Sequence, residues 1–399
     1  MITTINNKHN KLNVPNLRFP EFQGEWEKMR LDAFTKRVMR KNKSNQSRLP
    51  LTISAQYGLV DQITFFNKVV ASTDLSNYYL LKKGEFAYNK SYSSDYPWGA
   101  IKRLDNYDQG ALSSLYICFA PQDNVVSDFI LQYFESPKWH KGISEIAVEG
   151  ARNHGLLNVA VQDFFHTYHY VPKDKKEQIK ISKLLMLLDE RIATQSKIIE
   201  DLKRLKSAII EKLYSEIQGK EYLYRQLFEI INERNNRLEF SNVLSASQER
   251  GMVSREDLNL DIKFERSNIN TYKIVRNGDY VIHLRSFQGG FAFSNIVGVC
   301  SPAYTIMRPK DLLEYGYLSY YFTSRQFIKS LVIVTYGIRD GRSINVDEWL
   351  DMKIVIPLKE QQRHIVRTIK VFENRIENEE MYASCLLKQK QHLLRQMFI

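Results

Sequence analysis

Arginine, lysine, amide and aromatic side chains are the groups in this chain best placed to do chemistry, and the chemistry they suit is recognition of a polyanion. Two stretches concentrate them: Asn89-Lys90-Ser91-Tyr92-Ser93-Ser94-Asp95-Tyr96-Pro97-Trp98 and His283-Leu284-Arg285-Ser286-Phe287-Gln288-Gly289-Gly290. Lys90, Ser91 and Tyr92 in the first, and His283, Arg285, Ser286 and Gln288 in the second, are side chains that bond base edges and phosphate oxygens. Loops that vary without reading anything are the competing account. Gly150-Ala151-Arg152, followed by Asn153, is answered by Gly337-Ile338-Arg339, followed by Arg342. One frame holding one arginine twice implies one job done twice, either positioning a nucleic-acid backbone or closing a common ion pair. The densest cationic run is Lys36-Arg37-Val38-Met39-Arg40-Lys41-Asn42-Lys43 with Arg48. Arg40, Lys41 and Lys43 are candidates for phosphate contact, and a solvated surface is the alternative.

Catalytic and metal-binding signatures are missing from the sequence. No two prolines are adjacent, which excludes the Asn/Asp-Pro-Pro-aromatic motif of an amino-methyltransferase, and neither a Walker A loop nor a strand-linked Gly-x-Gly-x-x-Gly occurs. The eight histidines show no metalloprotease-type spacing. His154, His166 and His169 suit packing or a nucleic-acid face better than metal ligation. Asp261-Ile262-Lys263 is the kind of triplet that chance supplies in a charged chain. Cys118, Cys300 and Cys385 are isolated and read as small buried side chains.

The elements that must position these residues are written twice. Phe164-Phe165-His166-Thr167-Tyr168-His169-Tyr170-Val171-Pro172 before Lys176-Glu177-Gln178 is answered by Trp349-Leu350-Asp351-Met352-Lys353-Ile354-Val355-Ile356-Pro357 before Lys359-Glu360-Gln361. Gly84-Glu85-Phe86 is answered by Gly278-Asp279-Tyr280, and Gly58-Leu59-Val60 by Gly251-Met252-Val253. Each copy is a lobe of mixed helix and strand followed by a long helix, which predicts an α+β tandem. Each helix carries a heptad seam. The first runs Ile181, Leu185, Leu188, Ile192, Gln195, Ile199, Leu202, Lys206, Ile209 and Leu213; the second runs Ile365, Ile369, Phe372, Ile376, Glu379, Ala383, Leu386, Lys390, Leu393 and Met397. The polar positions fall in the same two slots. A helix of about 33 residues spans about 50 Å, too long for one lobe to bury, so each helix is the natural partner of the other. An antiparallel coiled coil that respects the duplication puts Lys206 opposite Glu379 and Gln195 opposite Lys390, with Leu188 near Met397 and Ile192 near Leu393.

With 43% hydrophobic and 12% aromatic residues the chain can build real cores. The expected boundaries are residues 1–172 for the first lobe, with 1–13 a loose tail, 173–218 for a central helical spacer, 219–357 for the second lobe and 358–399 for a terminal spacer. The net charge of +12 favours a polyanionic partner. No leader-type or membrane-spanning run occurs, and a cytoplasmic location is expected.

Val14-Pro15-Asn16-Leu17-Arg18-Phe19-Pro20-Glu21-Phe22 with Gly24-Glu25-Trp26, the Pro172 and Pro357 strand ends, and Leu386-Leu387-Lys388-Gln389-Lys390 through Leu393-Leu394-Arg395-Gln396-Met397-Phe398 resemble the DNA specificity subunit of bacterial type I restriction-modification systems. That resemblance covers nearly the whole chain. It implies two target recognition domains with helical spacers, double-stranded DNA as ligand, and two methyltransferase and two restriction-translocase subunits as partners. It also implies that S-adenosylmethionine, ATP and Mg serve those partners, while this chain is non-catalytic and holds no cofactor or metal. A coiled-coil adaptor without DNA specificity, and a nuclease with an unfamiliar site, are the rival readings. If the lobes read DNA, the target should be two short blocks separated by roughly five to eight unread base pairs.

Overall fold

The computed structural model describes residues 3–4, 13–68, 71–147, 155–247, 250–258, 266–283, 290–336 and 343–399. The chain divides into two compact units, residues 1–195 with 382–399 and residues 196–381.

In the first unit, β1 (Glu27–Arg30), β2 (Thr35–Arg37), β3 (Pro50–Ser54), β4 (Gly58–Asp61), β5 (Tyr79–Lys82), β6 (Phe86–Asn89), β7 (Ala100–Arg103), β8 (Gln109–Leu112), β9 (Ile117–Pro121), α1 (Ser127–Glu135) and β10 (Tyr168–Val171) carry the lobe. Two four-stranded sheets form, in the orders β4-β3-β8-β5 and β2-β9-β6-β7, and β10 pairs antiparallel with β1. β6 is buried at Phe86, Ala87 and Tyr88 because it lies inside its sheet, between β9 and β7. The core is aromatic: Phe86 stacks on Phe119 at 5.4 Å and Tyr88 on Phe164 at 5.0 Å. Residues from the far end of the chain complete it. Phe398 lies 5.5 Å from Phe129, 5.7 Å from Tyr133 and 6.4 Å from Trp26, and Leu394 and Met397 are buried beside it.

From the first unit a helix, α2 (Lys175–Ser215), leads into the second, where β11 (Lys220–Leu223), β12 (Phe228–Ile231), β13 (Tyr280–Ile282), β14 (Phe291–Phe293), β15 (Thr305–Pro309), α3 (Tyr317–Tyr321), β16 (Lys353–Ile356) and α4 (Lys359–Gln396) follow. The sheet β12-β15-β13-β14 repeats the order β2-β9-β6-β7, and β11 pairs with β16 as β1 does with β10. In this unit Tyr214, from the end of α2, enters the core against Tyr317 and Tyr321 at 5.4 and 5.3 Å. The interval separating Tyr214 from Phe398 also separates Ile181 from Ile365 and Ile210 from Leu394. Each lobe core is therefore closed by the end of the helix that follows the other lobe.

Both strand-to-helix junctions are held by one glutamine. Gln178 donates to the Pro172 carbonyl at 2.8 Å and accepts from the Val126 amide at 2.7 Å. Gln362 donates to the Pro357 carbonyl at 2.9 Å and to Leu312, and accepts from the Glu314 amide at 2.8 Å. The structural counterpart of Gln178 is thus Gln362, one residue beyond the Gln361 that sequence order suggests, because the link from proline to helix is one residue shorter in the second copy. Glu177 has a different role. Its carboxylate accepts from Arg18 at 2.7 and 2.8 Å and from the Trp26 indole at 3.2 Å, all inside the first unit. Cys118 and Cys300 are buried, and burial pushes both thiols up to about 12. Cys385 departs from expectation: it is exposed on α4, on the side away from the seam.

Candidate nucleic-acid interface

The two polar-aromatic stretches occupy equivalent places. Residues 90–99 connect β6 to β7, and residues 283–290 connect β13 to β14, the same hairpin of the repeated sheet. In the first lobe Ser91 through Pro97 are exposed. The neck beneath them is tight. Tyr88 donates to the Trp98 carbonyl at 2.9 Å, the Gly99 amide donates to Tyr96 at 3.1 Å, and Ser93 and Tyr96 exchange backbone hydrogen bonds. Gly99 sits at φ +76°, where a Cβ would come 2.1 Å from the Asn89 carbonyl oxygen, so only glycine fits. The Asn89 side chain accepts from the Ser91 amide at 3.0 Å.

This hairpin loop meets a second segment. The Tyr92 amide donates to Gly155 at 3.0 Å, Leu157 donates to Lys90 at 2.9 Å, and Ser91 bridges Leu156. The chain just before Gly155 carries Arg152 and Asn153, which lie outside the described residues, as do His154, Arg285, Ser286, Gln288, Arg339 and Arg342. His283 closes the base of the second hairpin loop through its amide to Gly290 at 2.8 Å, and its ring lies 6.0 Å from that of Tyr304. His169 is a packing residue. Its ring is buried between Tyr133 Oη at 2.8 Å and Thr167 Oγ1 at 2.7 Å, and burial lowers its pKa to about 3. His166 is exposed, 3.9 Å from Asp32.

Members of the cationic run differ in availability. Arg40 bonds both carboxylate oxygens of Glu85, at 2.9 and 2.8 Å. Lys41 donates to the Asn77 carbonyl at 2.7 Å and lies over the Tyr79 ring at 4.5 Å. Lys43 is exposed and makes no ion pair among the described residues. Glu85 and its counterpart Asp279 do the same local work. Glu85 accepts from the Lys82 amide and Asp279 from the Arg276 amide, bracing the glycine turns at Gly84 and Gly278.

Every seam position of both helices faces inward to some degree while most of its neighbours are exposed. Among them Leu188, Gln195, Ile376, Leu386 and Met397 are buried, and Ile192, Ile199, Leu202, Lys206, Glu379, Lys390 and Leu393 are partly so. In each unit the α2 and α4 segments run antiparallel. In the first, Asp189 meets Lys390 at 2.5 Å and Arg191 lies over the Tyr382 ring at 5.4 Å. In the second, Lys203 meets Glu380 at 2.7 Å and Lys206 meets Glu373 at 3.4 Å. The expected register requires correction. Lys206 finds its carboxylate at Glu373, beside seam residue Phe372, one heptad before Glu379, whose carboxylate bonds Arg375 on its own helix at 2.5 Å. An apolar seam fits almost equally well when slid by seven residues, so the flanking charges and the docked helix ends decide.

The sequence reading missed these acids. Asp189 accepts from Gln132 of α1 at 2.9 Å as well as from Lys390. Glu373 accepts from Tyr320 of α3 at 2.8 Å as well as from Lys206, and burial with this carboxylate nearby raises the Tyr320 phenol. The signal was available: an acid directly follows the third seam residue in both helices.

No protein-family model matches the sequence, and no curated protein matches it. Solved structures do. A chain from the structural study of complex assembly and conformational transition of the type I R-M system matches with TM-score 0.59 and 14% identity, over 94% of this chain and 97% of that one. The type I restriction-modification system S subunit from M. genitalium matches with TM-score 0.51 and 13% identity, over 97% of this chain and 99% of its own. Over 94–97% of its length the chain has the fold of these type I restriction-modification structures.

Proposed function

We propose that this chain is the DNA-reading subunit of a type I restriction-modification complex. Each lobe reads one block of a bipartite duplex target, and the chain directs methylation and cleavage by two methyltransferase and two restriction-translocase partners. S-adenosylmethionine, ATP and Mg act in those partners, and the chain itself is non-catalytic. The cytoplasm, where such a complex meets its DNA, is the proposed location; no described helix is long and apolar enough to cross a membrane.

The observation that carries this reading is the repeated hairpin. One sheet order is built twice, and its equivalent hairpin loops hold unrelated polar-aromatic sequences. A constant scaffold with exchangeable tips suits base-edge recognition, where the tip selects the sequence and the scaffold sets the approach. Mapping methylated adenines genome-wide in strains with and without this chain tests it. Loss of one gapped motif is expected; an unchanged methylome would favour a coiled-coil adaptor instead. Replacing residues 90–98 by an unrelated loop of equal length should change one block of the motif and leave the other intact.

A further inference from the structure

Each lobe contains a second repeated element, a loop closed by a buried asparagine. Asn42 is fully buried; its side-chain amide donates to the Ser47 carbonyl at 2.8 Å and the Leu75 carbonyl at 3.2 Å, and its oxygen accepts from the Ser47 amide at 2.8 Å. Asn235, 1% exposed, does the same with the Phe240 carbonyl at 2.8 Å, the Ile269 carbonyl at 3.5 Å and the Phe240 amide at 3.2 Å. Their own amides match as well, donating to Tyr78 and Tyr272 at 2.9 Å each. Strain recurs at the same step. Asn45 (φ 51°) and Leu238 (φ 55°) both lie in the left-handed region, as does Ser44 (φ 55°). Non-glycine residues persist there only where their surroundings fix the shape, and such sites gather at ligand clamps.

The frames agree, but the tips do not. Lys43 is the first residue inside the loop that Asn42 closes on Ser47, and Arg48 is the first beyond it, so the closure holds the two near one another in the chain; both are exposed and neither forms an ion pair among the described residues. In the second lobe the corresponding positions are Asn236 and Ser241, and the nearby Arg237 faces Glu239 at 3.9 Å. The first loop is thus a rigid cationic clasp, and the second is the same clasp without net charge.

Building on the DNA-reading role, we propose that the Asn42 loop is a backbone-phosphate site of the first lobe, with Lys43 and Arg48 each contacting a phosphate of the duplex. A preformed loop loses little freedom on binding, and two cations with no ion-pair partner among the described residues are available to displace counterions. The second lobe reads its block without this anchor.

The test is binding of the full chain to a random-sequence duplex over a range of salt concentrations. In Lys43→Gln/Arg48→Gln the slope of log affinity against log salt should fall by about 1.8, two contacts at about 0.9 each. The charge-preserving Lys43→Arg/Arg48→Lys should keep the parent slope, and Arg237→Gln should leave it unchanged. An unaltered slope in the Gln variant, with the parent chain binding normally, overturns the assignment alone. So does an unaltered slope with loss of assembly onto partner subunits, which would make the loop a protein-docking surface. A parent chain that binds no duplex overturns the DNA-reading role together with it.

Discussion

Lys390 places its ammonium 2.5 Å from Asp189 across the helix pair of the first unit, and Lys206 repeats the contact with Glu373 in the second. The two acids, like the two lysines, sit at equivalent points of the duplicated helices. Each acid is also held by a polar group of the lobe, Gln132 or Tyr320, so a single carboxylate ties lobe, outgoing helix and returning helix together. Asp189→Ala should cost about 1–2 kcal/mol in urea unfolding, the lower part of the range for charge-assisted hydrogen bonds because Asp189 is 38% exposed. The exchange Asp189→Lys with Lys390→Asp should recover part of that loss. A cost below about 0.5 kcal/mol would place the triad among ordinary surface ion pairs.

Phe398→Ala should cost about 3–5 kcal/mol, the usual range for emptying a buried aromatic site. Hydrogen exchange would locate the loss. Protection should fall around Trp26, Phe129 and Ile181, which share its core, and hold around Tyr224 and Trp349, which stack 4.2 Å apart in the other unit. Equal loosening of both regions would contradict independent cores.

His169 makes the first unit acid-sensitive. Folding holds its pKa at about 3, below an unfolded value of about 6.5. The folded state therefore refuses a proton that the unfolded state accepts, and the contribution is complete above pH 6.5 and lost as pH falls toward 3. At about 1.4 kcal/mol per pH unit, acidification from pH 7 to 5 should remove about 2 kcal/mol. His169→Gln should flatten that window; a parallel pH profile would show that other groups control it.

On the proposed DNA-reading role, Gly99→Ala should damage reading by the first lobe without unfolding it. The added methyl would collide with the Asn89 carbonyl at the neck of the loop, so the exposed tip must move while the sheet below remains. The methylated motif should become degenerate in one block and stay sharp in the other. Degeneracy in both blocks would mean that the lobes do not read separately.

The parts of this fold visible in sequence are those set by local spacing. The seam from Ile181 to Leu213 is the inward face because apolar period alone dictates it, and Gly84 and Gly278 mark turns because both adopt positive φ. Register was not set by the apolar period, since it depends on Asp189 and Glu373, which stand outside the seam and are marked in sequence only by following its third residue in each helix. Availability of charge was hidden too. Arg40 looked free, yet its partner Glu85 lies 45 residues away in the chain. The asparagine loops escaped notice because Asn42 and Asn235 share little beyond themselves: it is the backbone they bind, through groups any residue supplies, that makes them equivalent.

The seating of Phe398 among Trp26, Phe129 and Tyr133 bears on how the protein comes into being. Asn16 bonds Gln396 across 380 residues of chain, so the lobe that leaves the ribosome first is the one finished last. Until residues 394–398 have been made, its aromatic core lacks a wall, and contacts of such long range form slowly. The second lobe receives Tyr214 before its own strands are made and can close as it emerges. Truncated nascent chains should therefore present an open first lobe for the whole time that the second is synthesised, a window in which a chaperone or an early-binding partner would find its aromatic surface exposed.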